Sequence, residues 1–362
     1  MVNNLEKFSK NKKVLITGHS GFKGSWLTRI LLNWGAQVTG VALKPATNPN
    51  LFDLLGAKKK INNYFVDIRN FEKLKEVFLL EKPEIVFHLA AQPIVRLSYD
   101  DPLYTFDTNI MGTANVLQVI KEVKSVKSAV LITTDKVYEN NDFGRPFKEG
   151  DKLGGYDPYS ASKAAAEIII SSYIKSFFNP IDYNKKHTTL IASVRAGNII
   201  GGGDWQKDRL IPDIIKSIFE KNEEIIIRNP DAVRPWQHVL EPLYGYMLIA
   251  RNLYKAEKEF SGAWNFGPSA KSFSTVENLV KKILKISKKG SYKITRDNNK
   301  HEDQLLKLDS NKARDLLKWQ PTLSFDQTLE FTFDWYRNFY QNRNVIIDFT
   351  DQQIESFFNK LN

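Results

Sequence analysis

A glycine-rich turn near the amino terminus constrains the fold of this chain more than any other segment. The apolar run at residues 14–17 predicts a buried strand, and the turn that follows reads G-x-x-G-x-x-G from Gly18 to Gly24. Glycines allow a tight turn and a close approach to a pyrophosphate, whose charge lies at the amino terminus of the next helix. A strand before the turn and a helix after it are typical of a dinucleotide site.

Short apolar runs alternate with helical patterns through the first half of the chain. Strands are predicted at 14–17, 37–43, 64–66, 84–89, 129–133 and 190–194, and helices at 26–34, 71–80, 107–123 and 160–178. This alternation predicts an α/β fold with a Rossmann-like, doubly wound parallel sheet. Beyond residue 195 the rhythm breaks, and further helices are predicted at 276–287 and 311–317.

The break in rhythm predicts two interleaved parts. We expect a dinucleotide-binding Rossmann domain of residues 1–194 plus about 237–266. A smaller carboxy-terminal lobe for substrate is expected at residues 195–236 plus about 267–346.

Composition narrows the classes of site and partner. The chain contains no cysteine, which excludes disulfides and thiolate metal sites, and no spacing of histidines and carboxylates suggests a metal. The first 13 residues lack the apolar core of a signal peptide, and no apolar run reaches the ~20 residues of a membrane span. We therefore expect a cytoplasmic protein without a membrane partner.

The formal net charge of +11 permits a nucleic-acid partner or a solvated lysine-rich surface. The lysines are scattered or lie in short loops, and aromatic residues do not alternate with them as a stacking surface would need. We expect no nucleic-acid partner.

A tyrosine and a lysine four residues apart form the second chemical motif. Tyr159 and Lys163 stand at the start of a predicted helix, where this spacing places both side chains on one face. A cation beside a phenol favours the phenolate and lowers its pKa from ~10. The pair therefore predicts a base suited to alcohol oxidation. The spacing alone is common, and its weight comes from the glycine turn and the parallel sheet.

Several longer strings resemble one enzyme family. They include TGHSGFKGS at 17–25, LAAQPIVRLSY at 89–99, TTDKVYEN at 133–140, GNIIGGGDW at 197–205 and VRPWQHVLEP at 233–242. In these strings the chain resembles extended short-chain dehydrogenases/reductases that act on nucleotide sugars, the NAD-dependent epimerase/dehydratase family. Within that family the strings are most similar to the CDP-glucose 4,6-dehydratase group, which implies a place in deoxysugar biosynthesis for polysaccharides such as O-antigen.

The resemblance implies NAD as the cofactor. The residues that it assigns to cofactor binding are Gly18, Ser20, Gly21, Phe22, Lys23, Gly24, Asp67, Ile68, Leu89, Ala90, Ala91, Asn109, Thr133, Tyr159 and Lys163. One position departs from the usual pattern, because the second strand is followed by Lys44 where an acid normally contacts the ribose. Lys44 either pairs with the 2′-phosphate of NADP or is merely exposed, so both cofactors stay open at this point.

The resemblance also assigns a set of catalytic roles. Tyr159 would deprotonate the 4-hydroxyl of the sugar while C4 gives a hydride to NAD, with Thr134 bonded to O4 and Lys163 tuning the phenol. Asp135 would protonate the departing 6-hydroxyl, a role that sugar epimerases of this family do not need. The proton at C5 would be removed by Lys136 or by a water that it holds, and hydride would then return to C6.

The second half of the chain supplies the expected substrate contacts. Arginine suits a diphosphate because its planar donors bind oxygen pairs. The residues assigned to the substrate are Gln92, Arg96, Arg195, Asn198, Arg209, Leu210, Arg234, His238 and His301. His88 is expected to pack beneath the cofactor.

Three other functions remain open from the sequence: 4,6-dehydration of another nucleotide hexose, 4-epimerisation, and non-catalytic binding of a nucleotide sugar or RNA. In similar enzymes, the helices that correspond to 107–123 and 160–178 pair across a two-fold axis. Both carry apolar residues on more than one face, so we expect a homodimer or homotetramer.

Overall fold

A parallel sheet of seven strands lies at the centre of the molecule, which is a computed structural model that describes residues 2–139, 144–295 and 306–361. The strands in chain order are β1 (Lys13–Thr17), β2 (Gln37–Ala42), β3 (Asn62–Phe65), β4 (Ile85–His88), β5 (Ser128–Ile132), β6 (Leu190–Arg195), β7 (Ile199–Ile200), β8 (Ile225–Ile227), β9 (Val233–Pro235), β10 (Gln237–His238), β11 (Gly262–Asn265), β12 (Phe273–Thr275) and β13 (Tyr292–Ile294). The large sheet has the order β11-β6-β5-β4-β1-β2-β3. The remaining strands form the pairs β7–β10, β9–β12 and β8–β13.

The strand order places a switch point between β1 and β4. The chain runs outward from β1 to β3 on one side and then returns to build β4, β5 and β6 on the other. Ligands of such sheets bind in the crevice at the carboxyl ends of the two switch strands. The predicted fold class is confirmed, and the six predicted strands are present with ends that move by one or two residues.

Helices cover both faces of the sheet. They are α1 (Val2–Ser9), α2 (Phe22–Asn33), α3 (Leu51–Leu54), α4 (Phe71–Glu81), α5 (Val95–Asp100), α6 (Pro102–Phe106), α7 (Gly112–Glu122), α8 (Pro158–Phe177), α9 (Leu210–Lys216), α10 (Leu240–Tyr254), α11 (Val276–Ser287), α12 (Asn311–Leu317), α13 (Phe325–Gln341) and α14 (Ile346–Asn359). A π-helical turn, Asp107–Met111, joins α6 to α7. The helices predicted in the carboxy-terminal part are present as α11 and α12, whereas the sequence interpretation missed α10, α13 and α14.

Successive strand residues face opposite sides, and the core divides accordingly. Leu15 belongs to the cluster beneath α4, α7 and α8, whereas Val14 belongs to the larger cluster beneath α2 and α10. The larger cluster continues through Leu243 of α10 to Leu329 of α13. The sheet and the carboxy-terminal helices therefore share one core, and the division of the chain into two domains stays a prediction.

Candidate active site

The glycine turn lies at the switch point, where the main chain approaches itself closely. Gly18 has a φ of +76°, and a Cβ atom there would lie 2.6 Å from the Ala90 nitrogen. A Cβ atom on Gly24 would lie 2.2 Å from the Gly18 carbonyl oxygen, so both positions require glycine. A Cβ atom on Gly21 would meet only that same oxygen, at 3.4 Å. Space therefore remains in front of α2, where a phosphate group is favoured.

A cleft of about 350 Å³ extends from this turn along the carboxyl ends of the switch strands. Its volume is in the range of small-molecule sites. The cofactor residues predicted from sequence that line it are Gly18, Ser20, Gly21, Phe22, Lys23, Gly24, Asp67, Ile68, Leu89, Ala90 and Ala91. The predicted substrate residues Gln92 and Arg209 also lie in its wall.

The far end of the cleft carries both charges that bear on cofactor choice. Lys44 lines the wall after β2, next to Leu43, whose carbonyl accepts a hydrogen bond from the Ser20 hydroxyl at 2.8 Å. Asp67 follows β3 and pairs with Arg69 at 2.7 Å. Burial raises the pKa of the Asp67 carboxyl, but hydrogen bonds and charge from Arg69 outweigh burial and leave that pKa lowered. Asp67 is therefore an ionised acceptor at the cleft wall.

Asn109 and Gln92 brace the cleft from behind. The Asn109 side chain donates to the Ser162 hydroxyl at 2.8 Å and ties the π-helical turn to α8. The Gln92 amide donates to the Thr105 hydroxyl at 2.8 Å, and its oxygen accepts from the Ile94 main chain at 2.5 Å. Both ends of the Gln92 side chain are therefore engaged within the protein, which argues against its predicted contact with substrate.

Hydrogen bonds at the start of α8 position the predicted tyrosine–lysine pair. Asp157 caps the helix by accepting from the Ser160 main chain at 2.9 Å. The Tyr159 main chain donates to the Ser98 hydroxyl at 3.1 Å, and the Lys163 ammonium donates to the main chain of Ile132 in β5 at 3.2 Å. These bonds place the start of α8 beside the carboxyl end of β5.

The protonation of the pair differs from the sequence prediction. Burial raises the pKa of Tyr159 to about 12, against the lowering effect of its hydrogen bond with Thr134. Burial lowers the pKa of Lys163 to about 8. Burial thus opposes the predicted lowering of the Tyr159 pKa, and the role of Lys163 in that lowering stays a prediction.

The turn after β5 carries the predicted acid. Residues 134–137, which we call the acid–base turn, begin with Thr134 and continue as the 3₁₀ helix Asp135–Val137. The Thr134 hydroxyl donates to the Asp135 carboxylate at 3.0 Å. Burial raises the pKa of Asp135, and the nearby charges of Lys136 and Arg234 oppose this. A Cβ atom on Gly197 would lie 1.8 Å from a carboxylate oxygen, so Asp135 rests directly on that main chain.

Cationic side chains surround Asp135. Burial, together with the charges of Lys163 and Arg209, lowers the pKa of Lys23 to about 7, and the charge of Asp135 opposes this lowering. The positive charges outnumber the negative ones in this group, and a bound diphosphate would balance them. Together with the open glycine turn, this donor set fits the phosphates of a dinucleotide and of a nucleotide sugar.

Arg96 and Arg209 pair with acidic residues of the loop before α9, and Arg234 lies in β9. Arg209 pairs with Asp204 at 2.9 Å, and Arg96 pairs with Asp208 at 2.5 Å. Arg234 donates to its neighbouring carbonyl at Val233 at 3.0 Å, and its charge acts on Asp135. Arg209 lines the cleft, whereas contact of Arg96 and Arg234 with a phosphate stays a prediction.

Two predicted neighbours of these arginines contribute main-chain structure. Leu210 begins α9 directly after Arg209 and is half-buried. Asn198 has a φ of +47°, and its carbonyl oxygen accepts from the Gln237 main chain at 3.2 Å.

Arg195 and His238 do not have the environment predicted for substrate ligands. The Arg195 side chain is 3% exposed and pairs with the equally buried Glu167 at 2.8 Å. The His238 ring is fully buried between Trp26 and Phe331, and burial lowers its pKa to about 3. Both predictions are corrected, because these side chains are enclosed by the core. The predicted His301 lies outside the described residues.

Sequence reasoning missed Glu167, which belongs to the same helix face as the predicted pair. It follows Lys163 by four residues, and this spacing was the signal that could have found it. His88 is buried between the hydroxyls of Thr17 at 2.7 Å and Thr113 at 3.0 Å, and its packing beneath the cofactor stays a prediction. Thr133, also predicted from sequence, bonds through its hydroxyl to Glu167 at 2.5 Å.

The residues that the structure describes were predicted to bind no metal ion and to include no membrane span. They contain no cluster of three or more side chains that could hold a metal ion. Across the same ranges, every helix is too short or too polar to cross a membrane.

Comparison with known proteins identifies the family. The family model described as GDP-mannose 4,6 dehydratase matches residues 15–332. The CDP-glucose 4,6-dehydratase of Salmonella typhimurium is 46% identical over 343 residues, covering 94% of this chain and 95% of the relative. The UDP-glucuronate 4-epimerase of Thermodesulfobacterium geofontis is 29% identical and covers 89% of this chain and 95% of the relative.

Solved structures share the fold at lower sequence identity. An epimerase of Methanothermobacter thermautotrophicus superposes with a TM-score of 0.79 at 23% identity, covering 95% of this chain and 97% of that one. A dTDP-glucose 4,6-dehydratase of Bacillus anthracis, solved in complex with NAD, has a TM-score of 0.73 at 23% identity and covers 93% of this chain and 99% of that one. From the extent of the family match and the similarity to the Salmonella enzyme, this chain belongs to the GDP-mannose 4,6 dehydratase family.

Proposed function

We propose that the chain is a hydro-lyase that converts CDP-D-glucose to CDP-4-keto-6-deoxy-D-glucose and water, with NAD as its cofactor. The observation that carries the proposal is the buried Asp135 carboxyl beside Tyr159, on the carboxyl edge of the sheet. Burial raises the pKa of Asp135, which favours the protonated form that a proton donor needs. Loss of the 6-hydroxyl needs such a donor, whereas oxidation or epimerisation at C4 does not. The 46% identical Salmonella enzyme supports the choice of CDP-glucose.

The cofactor proposal follows from the fit of the cleft. The glycine turn would hold the diphosphate, Asp67 and Ile68 the adenosine, and Tyr159 and Lys163 the nicotinamide half. The walls from Leu89 to Ala91 complete the site, with Thr133 and Asn109 behind them. Bound NAD would supply the hydride chemistry of the reaction, in which C4 is first oxidised and C6 is then reduced, so the overall reaction would be redox neutral.

The chain's own residues move the protons. Tyr159 takes the proton of the 4-hydroxyl, and Thr134 holds the phenol by a hydrogen bond. Because burial keeps the pKa of Tyr159 near 12, the phenol becomes a base only when further positive charge lies beside it. The new ketone acidifies the proton at C5, which Lys136 or a water that it holds removes. Asp135 then protonates the departing 6-hydroxyl.

The substrate diphosphate is assigned to the cationic side chains of the cleft. Arg209 lies in the same charged group as Asp135 and the cofactor residue Lys23, and the charge of Arg234 acts on the Asp135 carboxyl. Arg96 can exchange its exposed pairing with Asp208 for a phosphate, since such surface ion pairs are weak. Asn198 and Leu210 would shape the site through their main chain.

A homodimer or homotetramer is part of the proposal. Three large apolar side chains on the α6–α8 surface are strongly exposed: Leu103 at 78%, Ile168 at 59% and Met111 at 52%. A second copy of the chain would bury them. We also place the enzyme in the cytoplasm, where NAD and nucleotide sugars are available, with no role for nucleic acid.

The direct test is incubation of the purified chain and NAD with CDP-, dTDP-, GDP- and UDP-hexoses, followed by mass spectrometry. We expect CDP-glucose to lose one water faster than the other hexoses. Loss of water from another nucleotide hexose would refute the substrate assignment. A change of configuration at C4 without loss of mass would refute dehydration and support the epimerase alternative.

A further inference from the structure

A buried ion pair lies directly behind the acid–base turn. Glu167 of α8 and Arg195 of β6 meet at 2.8 Å, and each side chain is 3% exposed. Neither residue lines the cleft. Any effect of the pair on the reaction must therefore pass through other residues.

Glu167 reaches the residue that precedes the turn. Its carboxylate accepts from the Thr133 hydroxyl at 2.5 Å and from the Ser193 hydroxyl at 2.8 Å, in addition to Arg195. Burial raises the pKa of Glu167, but the charge of Arg195 and these hydrogen bonds outweigh it and leave the pKa lowered. Glu167 is therefore an ionised carboxylate that joins α8 to β5 and β6.

Arg195 reaches the residue that follows the turn. Its guanidinium donates to the Tyr138 hydroxyl at 2.7 Å and to the Glu149 carbonyl at 3.0 Å, and it lies 4.9 Å from the centre of the Tyr138 ring. The Tyr138 hydroxyl in turn donates to Asn265 of β11 at 2.8 Å. The ion pair is thus hydrogen-bonded to Thr133, which precedes the acid–base turn, and to Tyr138, which follows it.

The same carboxylate acts on the lysine of the catalytic pair. Glu167 follows Lys163 by four residues on α8, and its charge raises the pKa of Lys163 against the effect of burial. Lys23 of α2 and His88 of β4 also face Lys163, and neither is an anion. Tyr159 belongs to the same helix face, and Asp135 lies near Lys23. Loss of the Glu167 charge would therefore make Lys163 easier to deprotonate.

We propose that the Glu167–Arg195 pair positions the acid–base turn for dehydration, because the pair is hydrogen-bonded to the residues at both ends of the turn. This inference rests on the proposed function. It also reassigns Arg195 from phosphate binding, since each of its bonds is to the protein's interior. A purely stabilising role is the weaker explanation, because a buried ion pair often contributes little stability relative to apolar side chains of similar size.

Two single variants separate the charge of Glu167 from the hydrogen bond between Arg195 and Tyr138. Glu167→Gln keeps the shape and removes the charge, whereas Tyr138→Phe removes one hydroxyl and leaves the ion pair intact. We expect both to lower kcat by about tenfold to a hundredfold with little change in KM, since small displacements of reacting groups cost this much. In Glu167→Gln alone, the alkaline limb of the rate profile should also move to lower pH.

Two variants serve as controls, one for the effect of a Glu-to-Gln substitution and one for the effect of lower stability. Glu241→Gln makes the same substitution at another buried carboxyl group, in α10, whose partners are the main chains of Thr322 and Leu323. Leu329→Ala destabilises α13 without touching the ion pair. Measured well below the unfolding temperature, both should retain the wild-type kcat and pH profile.

Hydrogen exchange provides a readout that does not depend on turnover. Amides of residues 133–138 should exchange faster in Glu167→Gln and in Tyr138→Phe than in wild type, and at the wild-type rate in Leu329→Ala. Wild-type kcat and exchange in both test variants would overturn the positioning role. A wild-type chain that dehydrates none of the sugars would refute the proposed function, while the exchange data would still decide whether the pair holds the turn.

Discussion

Replacing Asp135 by asparagine separates dehydration from oxidation at C4. The carboxyl side chain is 4% exposed and packs so closely that a Cβ atom on Gly197 would lie 1.8 Å from one of its oxygens. Asparagine has nearly the same shape, so Asp135→Asn should fold and keep the hydrogen bond from Thr134. It has no proton to give to the leaving hydroxyl.

The expected magnitude follows from the role assigned to this proton. General acid catalysis contributes about 10²–10⁴ in rate, or about 3–5 kcal/mol of activation free energy. Release of water should slow by that factor in Asp135→Asn. Because burial raises the pKa of Asp135, the wild-type rate should also fall as pH rises through that pKa. The variant should lack this dependence, since it has no carboxyl to deprotonate.

The assay uses the absorbance of the reduced cofactor together with mass spectrometry. Asp135→Asn should still oxidise C4, so reduced cofactor should accumulate on the enzyme after substrate is added. Tyr159→Phe is the matched control, because it removes the hydroxyl that takes the 4-hydroxyl proton. Tyr159→Phe should release no water and show no reduced cofactor.

Two results would refute this reasoning. Turnover of Asp135→Asn at the wild-type rate would mean that Asp135 is not the acid, and the dehydratase proposal would lose the observation that carries it. Slow turnover without reduced cofactor would mean that Asp135 supports binding or folding, and 4-epimerisation would have to be tested again.

Three further predictions concern cofactor choice, assembly and stability. After removal of bound nucleotide, NAD should support faster turnover than NADP, and the opposite preference would make Lys44 a ligand of the 2′-phosphate. Light scattering at micromolar concentration should give at least twice the monomer mass of 41.6 kDa, which Leu103→Glu should reduce, and a monomer mass for the wild type would contradict the proposed assembly. Burial raises the pKa of Glu241 from 4.5 to about 8, so its contribution to stability is complete below pH 4.5 and is lost as pH rises toward about 8, by up to about 1.4 kcal/mol per pH unit. Glu241→Gln should therefore have a smaller decrease in Tm over this pH range, and coincident Tm curves would show that Glu241 does not titrate there.

The parts of the fold that sequence could predict carry strong local signals. The glycine turn combines three glycines with a strand and a helix, and two of those glycines, Gly18 and Gly24, prove to be sterically required. Asp135 could be placed near Tyr159 from sequence, because Asp135 directly follows a predicted strand and Tyr159 stands at the start of a predicted helix. In both cases the neighbouring few residues determine the structure.

The missed helices have a different origin. In α10, residues 240–250 are all buried, so polar and apolar sides do not alternate with the helical period. Tyrosines, an asparagine and Glu241 also interrupt its apolar pattern. The packing that makes this segment a buried helix comes from the sheet on one side and the carboxy-terminal helices on the other, and neither is local in sequence.

Arg195 shows why the site itself was harder to predict than the fold. An arginine after a strand end fits a phosphate ligand as well as an internal ion pair, and the decision rests on whether a buried carboxylate lies opposite. Glu167 supplies that carboxylate from 28 residues away. Its position on the face of Tyr159 and Lys163 could have suggested the pairing, but only the packing of α8 against β6 buries both charges.

The pKa values of the site have one physical cause. Burial raises the pKa of Tyr159 to about 12 and lowers that of Lys23 to about 7, because each charged form loses hydration. The phenol therefore needs added positive charge to act as a base, and the cations around Asp135 need added negative charge. An oxidised nicotinamide dinucleotide carries both, a cationic ring and a diphosphate. The sequence rule that lysine activates tyrosine is incomplete for this reason: the pair is prepared by the fold, but its protonation depends on charges that the ligands bring.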